Sequence, residues 1–285
     1  MNSTVIEKIS DTNWFNDNIH LFWGLLVLAA IFTLVWIISI PLKNVSIVDI
    51  LWGISFFGQA LFYFVTSTDR QSFKNLSLLI LVTIWGWRLG IYILVRNCGH
   101  GEDRRYQDFR ASIGDHYWFI SLFTVFWLQA IIAWIVGSVT YFTFKNKVYS
   151  GFDPFYIVGA IIAFIGIMIE TVADFQMCLF KKDESNKGKV NDKGLWHYSR
   201  HPNYFGESLI WWGFYLYSVS VNAWYTFYSP IIMTFLLLKV SGVTLLEKKL
   251  KEDKPQYASY IERTSAFILW CPKKIDNDKI HTSTE

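Results

Sequence analysis

Glu170 and Asp174 stand four residues apart, and so do Asn203 and Glu207. At helical spacing each pair shares one face, so two acid-bearing faces can converge from adjacent, antiparallel helices. Directly ahead of Asn203, Pro202 occupies a place where a helix begins, a position that tolerates a missing N–H. Asn203, Tyr204 and Phe205 then expose free backbone donors at the helix N-terminus, and such a terminus attracts anions. With Lys193, His197, Arg200 and His201 just before it, the site can hold phosphate groups, while Trp196, Tyr198 and Tyr204 can stack on a flat ring. The competing reading is an interfacial aromatic belt behind a proline cap.

The elements that must position these residues are apolar. The chain has 285 residues, 53% hydrophobic, 19% aromatic and 17% charged, with a mean hydropathy of +0.28. A soluble domain carries about 25% charged residues, so an ordinary cytosolic enzyme is disfavoured. The 24 Phe, 15 Tyr and 14 Trp exclude a disordered chain. Cys98, Cys178 and Cys271 lack any C-x-x-C register, so they build neither a disulfide framework nor a zinc knuckle and read as small apolar fillers. A net charge of +3, dispersed along the chain, gives no nucleic-acid footprint.

A bilayer core of about 30 Å asks for roughly 20 apolar residues per helix. Such segments fall near 20–40, 46–66, 76–96, 117–143, 154–175, 203–221 and 224–245. The predicted fold is therefore an all-α integral membrane bundle of about seven transmembrane helices, one domain over 1–285 with a tail over 246–285. The break between the last two spans rests on Asn222 and its neighbours alone. The first apolar run is long enough to span the bilayer, so it is not read as a removable signal segment. Lys43, then Arg96, Arg104, Arg105 and Arg110, then the lysines from Lys181 to Lys193 with Arg200, then the tail from Lys248, concentrate positive charge in alternate loops. Positive loops stay inside, which puts the N-terminus outside and the C-terminus in the cytoplasm, in a bacterial inner membrane or the endoplasmic reticulum.

An ionisable side chain within a span costs about 2.5–3.5 kcal/mol. Asp49, Arg88, Glu170, Asp174, Glu207 and Lys239 all fall toward the inner ends of their spans. Snorkelling to the headgroups explains any one of them. A shared polar chamber open to the cytoplasm explains them together.

The run Gly194-Leu195-Trp196-His197-Tyr198-Ser199-Arg200-His201-Pro202-Asn203-Tyr204-Phe205-Gly206-Glu207 resembles the signature of the steroid 5-alpha-reductase-like integral membrane family, in the branch known as a domain of unknown function. Further matches are Trp85-Gly86-Trp87-Arg88-Leu89 to Arg96, Glu102-Asp103-Arg104-Arg105-Tyr106, Glu170 to Asp174, and Glu247-Lys248-Lys249 through Tyr257 and Tyr260 to Arg263-Thr264-Ser265. Membrane sterol reductases carry a close variant of the core, and isoprenylcysteine carboxyl methyltransferases share its Arg-His-Pro-x-Tyr.

The resemblance implies an NADPH-binding cavity facing the cytoplasm and reduction of a carbon–carbon double bond conjugated to a carbonyl in a lipidic or sterol-like substrate. Carried over by residue, Glu207, Asn203 and Asp174 surround the reacting nicotinamide. Arg200, His201, Tyr204 and Tyr198 lie in the cofactor-contacting stretch, and Arg88, Arg104 and Arg105 are candidates for its phosphates. The C-terminal region from Glu247 to Tyr260 closes the site in relatives. An Asn203–Glu207 pair would orient the carboxamide and leave hydride chemistry to the cofactor. The steroid enzymes' Gln-Glu pair on the second span and Tyr on the third are missing here, where Asp49, Gln59 and the Trp85 region stand instead. The proton donor is then unassigned, with Tyr92 and Tyr106 as candidates.

No Rossmann fingerprint or P-loop occurs. His100, Glu102, Asp103 and His116 lack a known ligand spacing, so no metal is expected, and Ser199 beside His197 and His201 makes a poor triad. The expected partners are the lipid bilayer and a lipophilic small molecule, with no nucleic acid and no protein partner inferable. The alternative activity is S-adenosylmethionine-dependent methylation of a lipid or prenylated thiol. A transporter would show internal repeats, and none is visible.

Overall fold

The computed structural model describes residues 12–70, 72–146, 153–240, 247, 250, 254 and 256–273. Helices dominate, and no strand occurs among the described residues. In chain order they are α1 (Thr12–Asp17), α2 (Ile19–Leu42), α3 (Ile47–Thr66), α4 (Phe73–Asn97) and α5 (Arg104–Ile113). Tyr117–Ser121, the π-helical turn Leu122–Trp127 and Leu128–Lys145 run on as α6 (117–145). Then come α7 (Pro154–Lys182), the single turn α8 (Leu195–Tyr198), α9 (Pro202–Val219), α10 (Trp224–Val240, opening in 3₁₀ and closing in π geometry) and α11 (Tyr257–Arg263).

Five helical runs are long and apolar enough to cross a membrane: Ile19–Leu42, Ile47–Thr66, Phe73–Asn97, Arg104–Lys145 and Pro154–Lys182. They coincide with the first five predicted spans. The sixth and seventh segments are the shorter α9 and α10, separated where the sequence had only Asn222 to mark a break. There Asn222 adopts a left-handed φ of 60°, and the Ala223 N–H reaches back to the Ser218 carbonyl at 2.8 Å. This is the hydrogen-bond pattern that closes a helix at a left-handed residue. Lys43, at φ 48°, ends α2 the same way, with the Asn44 N–H on the Ser39 carbonyl at 3.2 Å.

The chain divides into two compact units. The first joins Met1–Phe152 with Ser218–Thr226. Its core is built from Phe32, Phe56, Tyr63, Trp85, Phe126 and Phe144, all fully buried. Helices α3 and α4 pack as an antiparallel hairpin with Gly53 against Gly86; a methyl group on Gly53 would stand 2.6 Å from the Gly86 carbonyl oxygen. In lipid, where burial in a partner helix gains little hydrophobic energy, such close backbone approach supplies dispersion contacts instead. Leu34, Ile37, Ile80, Ile84 and Ile91 are exposed, as residues facing lipid tails are.

The second unit joins Asp153–Tyr217 with Phe227–Glu285. Its first helix is started by Asp153, whose carboxylate accepts the Phe155 N–H at 2.9 Å, with Pro154 at the first helical position. Helices α7 and α9 are antiparallel and touch through glycines at two levels. A methyl on Gly159 would lie 2.7 Å from the Gly213 oxygen, and one on Gly166 2.6 Å from the Gly206 oxygen. Ile210, Trp211, Phe214 and Tyr217 fill the space beside this seam. Ser208 and Thr234 share a hydrogen bond of 2.9 Å between α9 and α10.

Some expectations change. The three cysteines are exposed rather than buried fillers, because each lies outside the faces that pack. Lys239, near the end of α10, is exposed, whereas Glu170, Asp174 and Glu207 are buried.

Candidate functional site

The Gly166–Gly206 contact sets the positions of the polar residues next to it on both helices. One turn beyond Gly166 on α7 come Glu170 and then Asp174; beside Gly206 on α9 come Asn203 and Glu207. A methyl on Gly206 would meet the Glu170 backbone nitrogen at 2.7 Å, so the two acid-bearing faces do converge. Glu170, Asp174 and Glu207 are all buried. The Asn203 Nδ2 donates to Asp174 Oδ1 at 3.2 Å, which leaves its amide oxygen pointing elsewhere. That Oδ1 is buried and has no hydrogen-bond partner among the described residues.

Pro202 is the first residue of α9, as expected. The free-donor expectation holds less well, since the Phe205 N–H is taken by the His201 carbonyl at 3.1 Å. His201 is buried and lies parallel to the Tyr204 ring, with centroids 5.6 Å apart. Its backbone N–H donates to Ser199 Oγ at 3.1 Å.

The segment ahead of α9 is braced from two sides. From α7, Gln176 Oε1 accepts the Leu195 N–H at 2.9 Å, and the Ala173 carbonyl accepts the Trp196 indole N–H at 3.0 Å. Trp196 is therefore buried against α7 and is not an open stacking surface, whereas Tyr198 is exposed. From the C-terminal side, the chain after α11 runs alongside residues 198–200. The Arg200 N–H donates to the Ser265 carbonyl at 2.8 Å, Ser199 Oγ to that of Phe267 at 2.8 Å, and the Trp270 N–H to that of Tyr198 at 3.0 Å. The Tyr260 hydroxyl donates to the Trp196 carbonyl and, at 3.3 Å, to that of Ser199. Arg263 pairs with Asp192.

Arg200 spends three of its five guanidinium N–H donors within the protein. Its Nε lies 2.7 Å from Glu247 Oε1, and Nη1 donates to the carbonyls of Ile261 at 3.0 Å and Thr264 at 2.6 Å. Its side chain is only 8% exposed. The His201 Nε2 stands 3.4 Å from the same Glu247 oxygen. Burial would raise the Glu247 carboxyl, but the nearby His201 ring, the Arg200 hydrogen bond and the charge of Arg200 outweigh it and hold the group down at about 2. Burial, with Tyr257 next to it, pushes the Tyr260 hydroxyl up, so it remains a donor.

The other candidates lie in the first unit. Arg105 Nη2 bonds Asp49 Oδ2 at 2.8 Å, and its Nε bonds Asp103 Oδ1 at 3.0 Å. The Tyr106 hydroxyl donates to Asp49 Oδ1 at 2.7 Å and receives Gln129 Nε2 at 3.4 Å. Glu102 holds Arg110 at 2.9 Å and accepts the Val45 N–H at 2.7 Å. Arg104 is exposed at the start of α5, Arg88 is half-buried on α4, and Tyr92 has Arg96 over its ring at 5.9 Å.

Sequence reasoning found the converging acids and missed the braces. The glycines, paired at equal spacing on α7 and α9, were a readable signal. Gln176 and the carbonyls of Ile261, Thr264 and Ser265 gave none, because a backbone acceptor leaves no mark on residue type.

Among known proteins, the family described as "Protein of unknown function (DUF1295)" matches residues 35–264. An uncharacterized protein of Schizosaccharomyces pombe is 26% identical over 288 residues, covering 92% of this chain and 83% of that one. A probable O-methyltransferase, ustE of Ustilaginoidea virens, is 40% identical over 52 residues, 18% of either chain. No solved structure matches. The chain belongs to the DUF1295 family.

Proposed function

We propose that this protein is a membrane-embedded, NADPH-dependent reductase of a carbon–carbon double bond conjugated to a carbonyl in a lipidic substrate, related to the steroid 5-alpha-reductases. The observation that carries the reading is the Asn203 amide. Its nitrogen is spent on Asp174, and its buried oxygen lacks a partner among the described residues. A buried orphan acceptor costs about 1–3 kcal/mol, which a ligand's N–H would recover. The primary carboxamide of a nicotinamide offers such a donor, with the carboxylates of Asp174, Glu170 and Glu207 buried around it.

In this reading Asn203, Asp174 and Glu207 hold and orient the ring, and the glycine seam of α7 and α9 keeps them at fixed spacing. NADPH, when bound, supplies the hydride. Burial of the residues around Asn203 excludes water and strengthens their hydrogen bonds. The seven-span topology, with the N-terminus outside and this site toward the cytoplasm, is part of the same proposal.

A second reading is methyl transfer from S-adenosylmethionine to a lipid or prenylated thiol, favoured by the 52-residue likeness to the probable O-methyltransferase. It has no particular use for Glu207. Thermal unfolding of the purified protein separates the two: NADPH is expected to raise the melting temperature and S-adenosylmethionine to leave it unchanged. Stabilisation by the methyl donor alone reverses the order. Within the reductase reading, Glu207→Gln is expected to abolish NADPH oxidation while leaving membrane insertion intact.

A further inference from the structure

Arg200 is the cation nearest the start of α9 in sequence, yet its guanidinium faces the protein's own acceptors. Nε goes to Glu247 and Nη1 to the carbonyls of Ile261 and Thr264, while its backbone N–H goes to Ser265. A guanidinium with three of its five N–H donors spent on a carboxylate and two carbonyls, in a side chain 8% exposed, presents little of itself to a phosphate. The same donors all end on residues more than forty positions away in sequence, on the chain around and after α11. From there the bonds of Tyr260, Ser199 and Trp270 repeat the connection along Trp196, Tyr198 and Ser199.

We infer that Arg200 is a positioning residue and not an anion ligand: with Glu247 and Tyr260 it clasps the C-terminal strap, residues 257–270, onto the turn that launches α9, and so sets the placement of His201 and Asn203. The fork geometry of arginine is what the clasp uses. One planar group meets a carboxylate on one edge and carbonyls on another, which a lysine ammonium cannot do from the same position. Glu247 neutralises the buried charge, and the low-lying carboxyl keeps that pairing intact through neutral pH. Tyr260 ties the strap independently of any charge.

The role of Arg200 in catalysis rests on the reductase reading, but the clasp itself does not, so two measurements are made on the full-length protein in detergent. Amide hydrogen exchange over 257–270 is followed without any ligand, and NADPH oxidation is followed with a long-chain 2-enone as the probe. Three variants are compared, Arg200→Lys, Glu247→Gln and Tyr260→Phe, the last being the mildest and the safeguard against failure to fold. A clasp predicts that all three speed exchange in the strap by about 10-fold or more. It also predicts that all three lower kcat with the KM for NADPH moving less than about 3-fold. An anion ligand predicts instead that Arg200→Lys alone raises the KM for NADPH by about 10-fold or more, with strap exchange as in the wild type. Unchanged exchange in Arg200→Lys and Tyr260→Phe overturns the clasp. If the wild type oxidises no NADPH, the reductase reading fails, and the exchange arm still decides the clasp.

Discussion

The two units each hold a cluster of carboxylates, and the clusters differ in how they are answered. In the first, Asp49 and Asp103 share Arg105, Glu102 has Arg110, and the Tyr106 hydroxyl completes Asp49. Cations matched to acids within one cluster tie α3 to α5 and leave little unsatisfied. In the second, the Asn203 amide gives its nitrogen to Asp174 and keeps a buried oxygen without a partner among the described residues, and Arg200 pairs with Glu247. The contrast teaches that intramembrane charge alone does not mark a site. The proposed site rests instead on an incomplete hydrogen-bond set beside buried acids, that of Asn203.

The largest test removes the seam that makes the second cluster possible. Gly206→Leu would drive a side chain into the Glu170 nitrogen and the Gly166 carbonyl, each 2.7 Å from the first added carbon. We expect a loss of about 3 kcal/mol or more, read as a collapse of the folded yield and of the thermal transition. Next, Asn203→Ala is expected to lower NADPH-dependent turnover by about 100-fold while the melting temperature of the unliganded protein stays close to wild type. A large loss of unliganded stability would make the amide structural and erase the contrast. On the other side, Asp49→Asn leaves Arg105 and Tyr106 short of an acceptor and should cost about 2 kcal/mol, measured by thermal unfolding, with NADPH affinity unchanged. Weaker NADPH binding would give the first cluster a ligand role.

The smallest effect is a pH dependence. Glu247 is depressed from its ordinary 4.5 to about 2. A depressed carboxyl contributes stability above its unfolded value and loses it as the pH falls toward the folded one. Strap protection should therefore be flat from neutral pH to about 5 and weaken below it, by about 1 kcal/mol at pH 3.5. Glu247→Gln should remove that slope, and a slope unchanged in the variant would assign it to another acid.

Much of this was legible in the sequence. Apolar runs of bilayer length placed the first five spans, helical spacing brought Glu170 and Asp174 toward Asn203 and Glu207, and Pro202 marked the start of α9. Side-chain type and period carry that information directly. Asn222 ended α9 because its residue type tolerates left-handed backbone, again a local property. What could not be read was the fate of individual polar groups. Trp196, Tyr204 and Arg200 all looked available, and each was spent: on the Ala173 carbonyl, on His201, and on the strap. Those partners are tertiary and mostly backbone, so no spacing rule announces them.

Gly159 and Gly166 on α7 sit one heptad apart, as do Gly206 and Gly213 on α9, and they meet in antiparallel order, Gly159 with Gly213 and Gly166 with Gly206. Two backbones engaged at two such notches cannot slide lengthwise, because a one-turn slip would bring bulky neighbours such as Ile210 and Leu216 against a bare peptide carbonyl. The helix pair is in effect a locked rail. Any movement within the second unit must then fall to its other pieces, α10 or the strap, and leave the rail still.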